Sequence, residues 1–591
     1  MARTVRIANF SGAMGDRFTA LEEAVLGEPV DVVIGDFMAE ITMSAIASGL
    51  TRSGRGAREF YARAFLAQVE PLLGDIAERG IKIVVNAGVF NPAGLAEALR
   101  AMIAERGVDL TVAHVEGDDL LDRTATLVAE GQLSHLDTGE AFDPAGPEIF
   151  AANAYLGGWG IAAALGTGAD IVVTGRVADA SLVLGPAAWW HGWGQEDWDR
   201  IAGAVVAAHI VECGPQAAGG NFSGFTTIPN NTLVAFPIAE VDEDGSCVIT
   251  KRASDGGAVT VDTVTAQLMY EIQGPRYLNP DVVAHIDPVR LTQEGPDRVR
   301  VSGVQGGPPP ETTKVGIHRL AGYRGATWVY PTGLDIDAKI DVLRRQAVAA
   351  AEGLNLTQVL VTPCGRPAED PADQYAATVA VQIAASSEER GQVREFLAKC
   401  TSYGLGSIPG YYLDMTGASV GEVQRIEYWP GLVRQEDLRH EVVLADGRRI
   451  PVAVPKTAPF TGQPVSVAVE AAGEFGETRR VPFGEIVYAR TGDKGGNANL
   501  GVWVPQPHAA AYPWLVGFLT EDRLRELLGL RESVAVERYP MPTIHGLSFV
   551  LRDFFGTSGS SYLGLDQIGK SLGEFLRAKH VDIPISLLDG A

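Results

Sequence analysis

Near the C-terminus the chain reads Arg490-Thr491-Gly492-Asp493-Lys494-Gly495-Gly496-Asn497-Ala498-Asn499-Leu500-Gly501. Apolar runs flank it, Glu485–Ala489 before and Leu500–Val504 after, and both read as strands. A hairpin needs a loop of only about two to five residues, so this polar stretch predicts a long loop. Glycine lets backbone N–H groups approach a ligand closely. Arg490 and Lys494 add positive charge, Asp493 adds an acid or base, and Thr491 and Asn497 add polar contacts. The chemistry implied is a grip on an anionic or carbonyl group, with Asp493 and Lys494 as catalytic candidates. The competing reading is a solvated connection.

Other segments carry the same kind of chemistry. Phe10-Ser11-Gly12-Ala13-Met14-Gly15-Asp16-Arg17 joins an apolar run to a helical one, a setting for anion binding at a helix N-terminus. It lacks both GK[ST] and GxGxxG, so nucleotide binding is not implied. Ser11, Gly12 and Arg17 are candidate substrate contacts and Asp16 a candidate acid or base; an Asp16–Arg17 ion pair is the alternative. Asp36 and Glu40, if both helical, share a face at i,i+4 spacing, where like charges raise one pKa and create an acid/base site. Helix capping by Asp36 explains the pair equally well.

Asn86, Gly88 and Asn91 form another candidate binding loop. In Thr174-Gly175-Arg176-Val177-Ala178-Asp179, Thr174 and Arg176 suit a carboxylate or phosphate, and Asp179 suits proton transfer. Between Glu212 and Phe222, Glu212 is an acid/base candidate, and Gln216, Gly219 and Asn221 are binding candidates. Cys213 reads as an inert buried thiol. Glu116, Asp118 and Asp119 resemble a hard-cation cluster, since magnesium takes one or two carboxylates plus water; an ordinary acidic turn explains them more simply. No cofactor is therefore expected, with magnesium at this turn as the alternative. Trp189, Trp190, Trp193 and Trp198 suit either an apolar pocket or core packing.

The elements that position these loops follow from periodicity. Apolar runs at Val5–Asn9, Asp31–Gly35, Ile81–Val85, Leu110–Val115 and Asp170–Val173 alternate with helix-period segments, which predicts an α/β domain with a mostly parallel sheet. Ligands of such sheets bind beyond the carboxyl ends of the strands, where the polar loops fall. Helix caps also favour polar residues there, but positive charge opposes a helix N-terminus, so capping leaves Arg17 and Arg176 unexplained. From about residue 231 the pattern becomes α+β, with helices expected over Ile336–Ala351 and Ser387–Lys399 and a strand over Ala376–Ala385. The domains expected are 1–230, 231–430, a linker or peripheral β element at 431–477, and a small α+β unit at 478–591 with a helix over Glu521–Leu528.

The chain has 591 residues and a net charge of −25, which disfavours a nucleic-acid partner. Its four cysteines form no CxxC pair. No apolar block of signal-peptide length opens it, and no run approaches the roughly 20 apolar residues of a membrane span. A cytoplasmic, homo-oligomeric enzyme without membrane or nucleic-acid partners is expected.

Ser11–Arg17, Asn86–Pro92, Glu116–Asp119, Asn153–Gly157, Thr174–Asp179, Glu212–Gly220 and Phe236–Glu240 together resemble the acyclic terpene utilisation AtuA family. Ala489–Gly495, Asn499–Gly501 and Leu547–Leu551 resemble that family's ferredoxin-like domain, with Thr491 where the family usually has Ser. The resemblance implies breakdown of branched acyclic terpenoids such as citronellol and geraniol through acyl-CoA intermediates, by cleavage or hydration. It brings no settled catalytic residues. The expectation is a lyase or hydro-lyase acting on a branched carboxylate or coenzyme A thioester. The alternatives are a non-catalytic scaffold subunit and a metal-assisted ester or lactone hydrolase.

Overall fold

The computed structural model describes residues 3–54, 56–464 and 475–588. Its centre is an eleven-stranded mixed sheet. Five parallel strands occupy the middle, in the order Val5–Ser11, Val32–Gly35, Lys82–Val85, Ile171–Thr174, Val112–Glu116. These are the five apolar runs expected from the sequence. Alternate residues point to opposite faces, and both faces are covered. Ile7, Ile34 and Val84 belong to one core, and Ala8, Val33 and Val85 to another. Burial on both sides is why the runs are continuously apolar rather than alternating. Each such Val or Ile contributes about 1.5–3 kcal/mol of burial.

Antiparallel strands extend the sheet at both edges. Pro237–Val241, Cys247–Lys251, Arg298–Ser302 and Arg290–Gly295 continue one side, and Glu441–Val443 and Arg449–Pro451 the other. The stretches 231–430 and 431–477 thus donate strands to the first sheet. Residues 465–474 of the expected linker lie outside the described residues.

A second sheet is built on the twenty-residue strand Thr312–Pro331, which pairs with Val420–Arg434, Ile149–Ala154 and Ala380–Ser387. Helices Ile336–Ala351 and Gln392–Ser402 cover part of it, close to the expected positions. Among the described residues, no helix is long and apolar enough to cross a membrane.

The C-terminal unit is a four-stranded antiparallel sheet, Tyr488–Lys494, Asn497–Trp503, Gly546–Arg552, Ala535–Met541, backed by helices including Glu521–Leu528. One expectation is overturned here. The polar stretch is a tight hairpin, not a long loop: Lys494 pairs with Asn497, and only Gly495-Gly496 turns, with Gly495 at φ +64°. Glycine tolerates that left-handed backbone without strain. Arg490, Thr491, Asn497 and Asn499 are therefore strand residues, and all are buried. Their polarity reflects partners on neighbouring segments rather than solvent.

Candidate active site

Strand register creates the site. Ser11 lies beside Gly35, Gly35 beside Val85, Val85 beside Val173, and Thr174 beside Val115. The next residues, Gly12, Asp36, Asn86 and the Gly175-Arg176 pair, emerge together along one edge. Ser11 Oγ donates to the Asp36 carbonyl (2.8 Å) and Asn86 Nδ2 donates to Asp36 Oδ1 (2.7 Å). The Phe37 and Met38 amides donate to Asn86 Oδ1 (2.6 Å) and Asp36 Oδ1 (2.9 Å). Asp36 is not helical, because the helix begins at Glu40. The shared-face argument for Asp36 and Glu40 therefore fails. Burial, with the Asp179 charge, still pushes the Asp36 carboxyl up to about 8, against the pull of Arg176.

Arg176 is 2 % exposed. It donates to the Met38 carbonyl (2.9 Å) and to Asp179 Oδ1 (2.6 Å), and its guanidinium lies 4.0 Å from the centre of the Tyr155 ring. Tyr155 Oη reaches Glu40 Oε1 (3.1 Å) and Tyr428 Oη (3.2 Å), and Lys314 Nζ donates to Glu40 Oε1 (2.7 Å). Burial alone would raise Glu40, but Lys314, Lys494 and Arg176 hold its carboxyl far below the usual range.

The C-terminal hairpin closes the other side. Lys494 Nζ lies 3.5 Å from Glu271 Oε2, and Lys570 Nζ lies 3.4 Å from Glu271 Oε1 and bonds Tyr270 Oη. Asn499 fixes this corner by accepting from the Glu271 amide and donating to the Met269 carbonyl, both at 2.7 Å. Burial favours neutral Lys494, yet Glu271, Asp179 and Glu40 outweigh it and hold the ammonium well above its usual pKa. Asp493 is pushed up to about 7, by burial and by Glu271. Glu212 is raised by burial; His209 Nδ1 is 3.5 Å from it and opposes the shift. Two glycines permit the assembly. A Cβ on Gly12 would lie 2.5 Å from the Cys213 carbonyl carbon, and one on Gly492 would lie 2.5 Å from the Tyr270 ring.

Exposure grades across this polar cluster, referred to below as the crevice. Side chains of Glu40, Asp179, Lys314, Glu271, Lys494 and Lys570 keep 15, 17, 18, 19, 22 and 28 % of their surface. Asp36, Asn86, Glu212 and Arg176 lie at 5 % or less. Solvent reaches a charged rim, and titratable groups sit beneath it.

Other expected site residues have separate partners. Arg490 donates to the Asn221 carbonyl (3.1 Å) and to Gln216 Oε1, and lies 4.3 Å from the Tyr270 ring centre, so these residues brace the crevice wall. Asp16 accepts from the Gly12 and Ala13 amides, while Arg17 pairs with Glu23, so no Asp16–Arg17 pair forms. Asn91 caps its helix by accepting from Gly94 (2.8 Å). Gly88 lies against the Thr174 carbonyl, Thr174 Oγ1 donates to the Gly175 carbonyl, and Gly219 turns at φ +106°. Thr491 accepts from Gly573 and Asn497 from Asp553, both inside the C-terminal unit.

The acidic turn does not converge. Glu116 pairs with His114 and Arg449, Asp119 pairs with Arg58, and Asp118 accepts from Asn153 and the Arg176 amide. Among the described residues, no group of three or more His, Cys, Asp or Glu is placed to hold a metal. Trp190 and Trp193 donate to the Arg3 and Glu243 carbonyls, at the opposite end of the sheet. The open cleft of about 920 Å³ lined by Arg3, Asp31 and Asp242 also lies there.

Lys314, Tyr155, Tyr428, Glu271, Tyr270 and Lys570 were not among the site residues expected from the sequence, although Tyr155 lies in the Asn153–Gly157 segment. Lys314 carried a signal, as a charge at the start of the apolar run Val315–Ile317. The rest depend on long-range packing.

The geometry is that of an α/β chain in which charged residues near the parallel-strand ends and residues of the C-terminal sheet meet in one polar cluster. Residues 5–444 match the acyclic terpene utilisation family protein AtuA, and residues 481–582 match the AtuA ferredoxin-like domain. The chain belongs to this family, whose description places it in acyclic terpene utilisation. No curated protein and no solved structure matches the chain.

Proposed function

We propose that the chain is an enzyme acting on a branched, terpenoid-like acyl substrate, as the carboxylate or coenzyme A thioester, by lyase or hydro-lyase chemistry. One observation carries this reading. Lys494, from the C-terminal hairpin, stands among Glu40, Asp179 and Glu271 from distant segments, at a rim that solvent reaches. A cation partly shielded from solvent in this way stabilises negative charge that develops on an acyl oxygen. Carboxyls raised toward neutrality, such as Asp493 and Asp36, suit the transfer of a proton at the adjacent carbon. In the hydro-lyase case that proton leaves one carbon and hydroxide leaves the next, giving an alkene and water.

The test is Lys494→Met, assayed by mass spectrometry against a panel of branched 3-hydroxyacyl and enoyl thioesters and the free acids. Turnover should fall at least 100-fold, roughly the loss of one oxyanion-stabilising group. A wild-type chain that converts no member of the panel, or a variant with undiminished turnover, rejects the reading.

A further inference from the structure

The tyrosine hydroxyls of the crevice differ in one respect. Tyr155 Oη reaches Glu40 Oε1 (3.1 Å), Tyr428 Oη reaches Tyr155 Oη (3.2 Å), and Tyr270 Oη is bonded by Lys570. Tyr277 is half-buried, and its hydroxyl makes no hydrogen bond to another described residue. A polar group partly withdrawn from water and lacking a protein partner keeps its full capacity to bond a ligand atom.

The fold fixes where this hydroxyl stands. Tyr277 lies on the short strand Arg276–Leu278, opposite Ala284 of the antiparallel strand Val283–His285, and its ring packs on the main core. The ring centre is 5.0 Å from that of His209, which is 2 % exposed and places Nδ1 3.5 Å from Glu212 Oε1. The same segment meets Lys494 a few residues earlier. Glu271 Oε2 lies 3.5 Å from Lys494 Nζ, and Gln273 Nε2 donates to the Lys494 carbonyl (3.4 Å). Tyr277 and Lys494 each act on the other's charge, and Asp179 and Glu271 act on both. Burial, with Glu212, Asp179 and Glu271, pushes the phenol well above its usual pKa against the pull of Lys494. At neutral pH the group is therefore a neutral donor and not a base.

We propose that the Tyr277 hydroxyl is a second hydrogen-bond donor to the acyl oxygen of the substrate, beside the Lys494 ammonium. The inference rests on the reading of Lys494 as the cation on that oxygen and adds the neutral donor that completes the pair. A cation and a hydroxyl on one oxygen together stabilise the charge that grows there as the neighbouring carbon loses its proton.

The test is Tyr277→Phe in the full chain, assayed on the panel of branched thioesters and free acids. Phenylalanine keeps the ring against His209 and removes no hydrogen bond within the protein, so Tm should be unchanged. For a panel member that wild type converts, kcat should fall about 100-fold while KM changes little, the pattern of a contact made in the transition state. Combined with Lys494→Met, the loss should be smaller than the product of the two single losses, because both groups serve one oxygen.

Undiminished kcat in Tyr277→Phe overturns the proposal. A lowered Tm, with kcat recovered below the transition, marks the hydroxyl as structural and overturns it too. So do fully multiplicative losses in the double variant. Wild type without turnover on the panel rejects the Lys494 reading and this inference together. Turnover that falls in Lys494→Met but not in Tyr277→Phe rejects this inference and leaves that reading standing.

Discussion

Asp36→Asn tests the electrostatics of the site without altering its shape. Asp36 Oδ1 accepts from Met38 and Asn86, and an asparagine Oδ1 keeps both bonds. The amide group then mimics the protonated carboxyl. Burial raises the carboxyl from its ordinary 3.8 to about 8, so the folded chain holds a proton that the unfolded chain loses above about pH 4. The unfolded state binds fewer protons across this window, and stability therefore falls as pH rises from about 4 to about 8 and levels above that. At ~1.4 kcal/mol per pH unit the full window is worth about 6 kcal/mol as an upper bound, of which about 5 kcal/mol falls above pH 4.5.

Thermal melts of wild type and variant across pH 4.5–8.5 measure the difference. About 1 kcal/mol corresponds to roughly 2–4 °C for a unit of 150–250 residues. The variant should gain on wild type as the pH rises, by at most about 10–20 °C between the two ends of the series. A difference that stays constant with pH refutes the assignment, because the carboxyl would then titrate alike folded and unfolded. The same constancy would follow if Arg176 outweighed burial and kept Asp36 ionised throughout the series.

Two further substitutions separate scaffold from chemistry. Asn91→Ala removes the side-chain acceptor for the Gly94 amide and should cost about 1 kcal/mol by urea unfolding, with kcat unchanged; a large loss of kcat would place Asn91 at the substrate. Gly12→Ala sets a methyl 2.5 Å from the Cys213 carbonyl carbon and should cost about 1–3 kcal/mol, read as a lower Tm. An unchanged Tm would mean that the Ser11–Arg17 loop does not rest on the Glu212–Cys213 backbone.

The parallel strands were legible because burial on both faces leaves an apolar run that few loops imitate. Arg176 stood out because a cation after a strand has no capping role; the contacts it makes, to Asp179, Met38 and Tyr155, are within the chain. Asn91 and Asp16 misled for the same physical reason: a helix cap and a loop brace need the same small polar side chains as a ligand site. The C-terminal hairpin misled through its composition. Arg490 and Asn499 sit on strands because their partners, Gln216, Asn221 and Met269, lie more than 200 residues away. Glu271 was illegible for that reason too; its place beside Lys494 is set by Asn499, and a local pattern carries no trace of such a contact.

The same contacts define what the C-terminal unit does for the crevice. Glu40, Asp179 and Glu271 form a carboxylate wall, and without Lys494 and Lys570 much of its charge would face itself across a poorly solvated gap. Like charges at such separations drive protonation or movement apart. The hairpin's Lys494 thus joins Lys314 in lowering the Glu40 carboxyl and Lys570 in lowering that of Glu271. Asn499 and Gly492 make this docking specific, one by hydrogen bonds to the Met269–Glu271 backbone and the other by leaving room for Tyr270. Both units therefore contribute to one charged cluster, Glu271 from the first and Lys494 and Lys570 from the second.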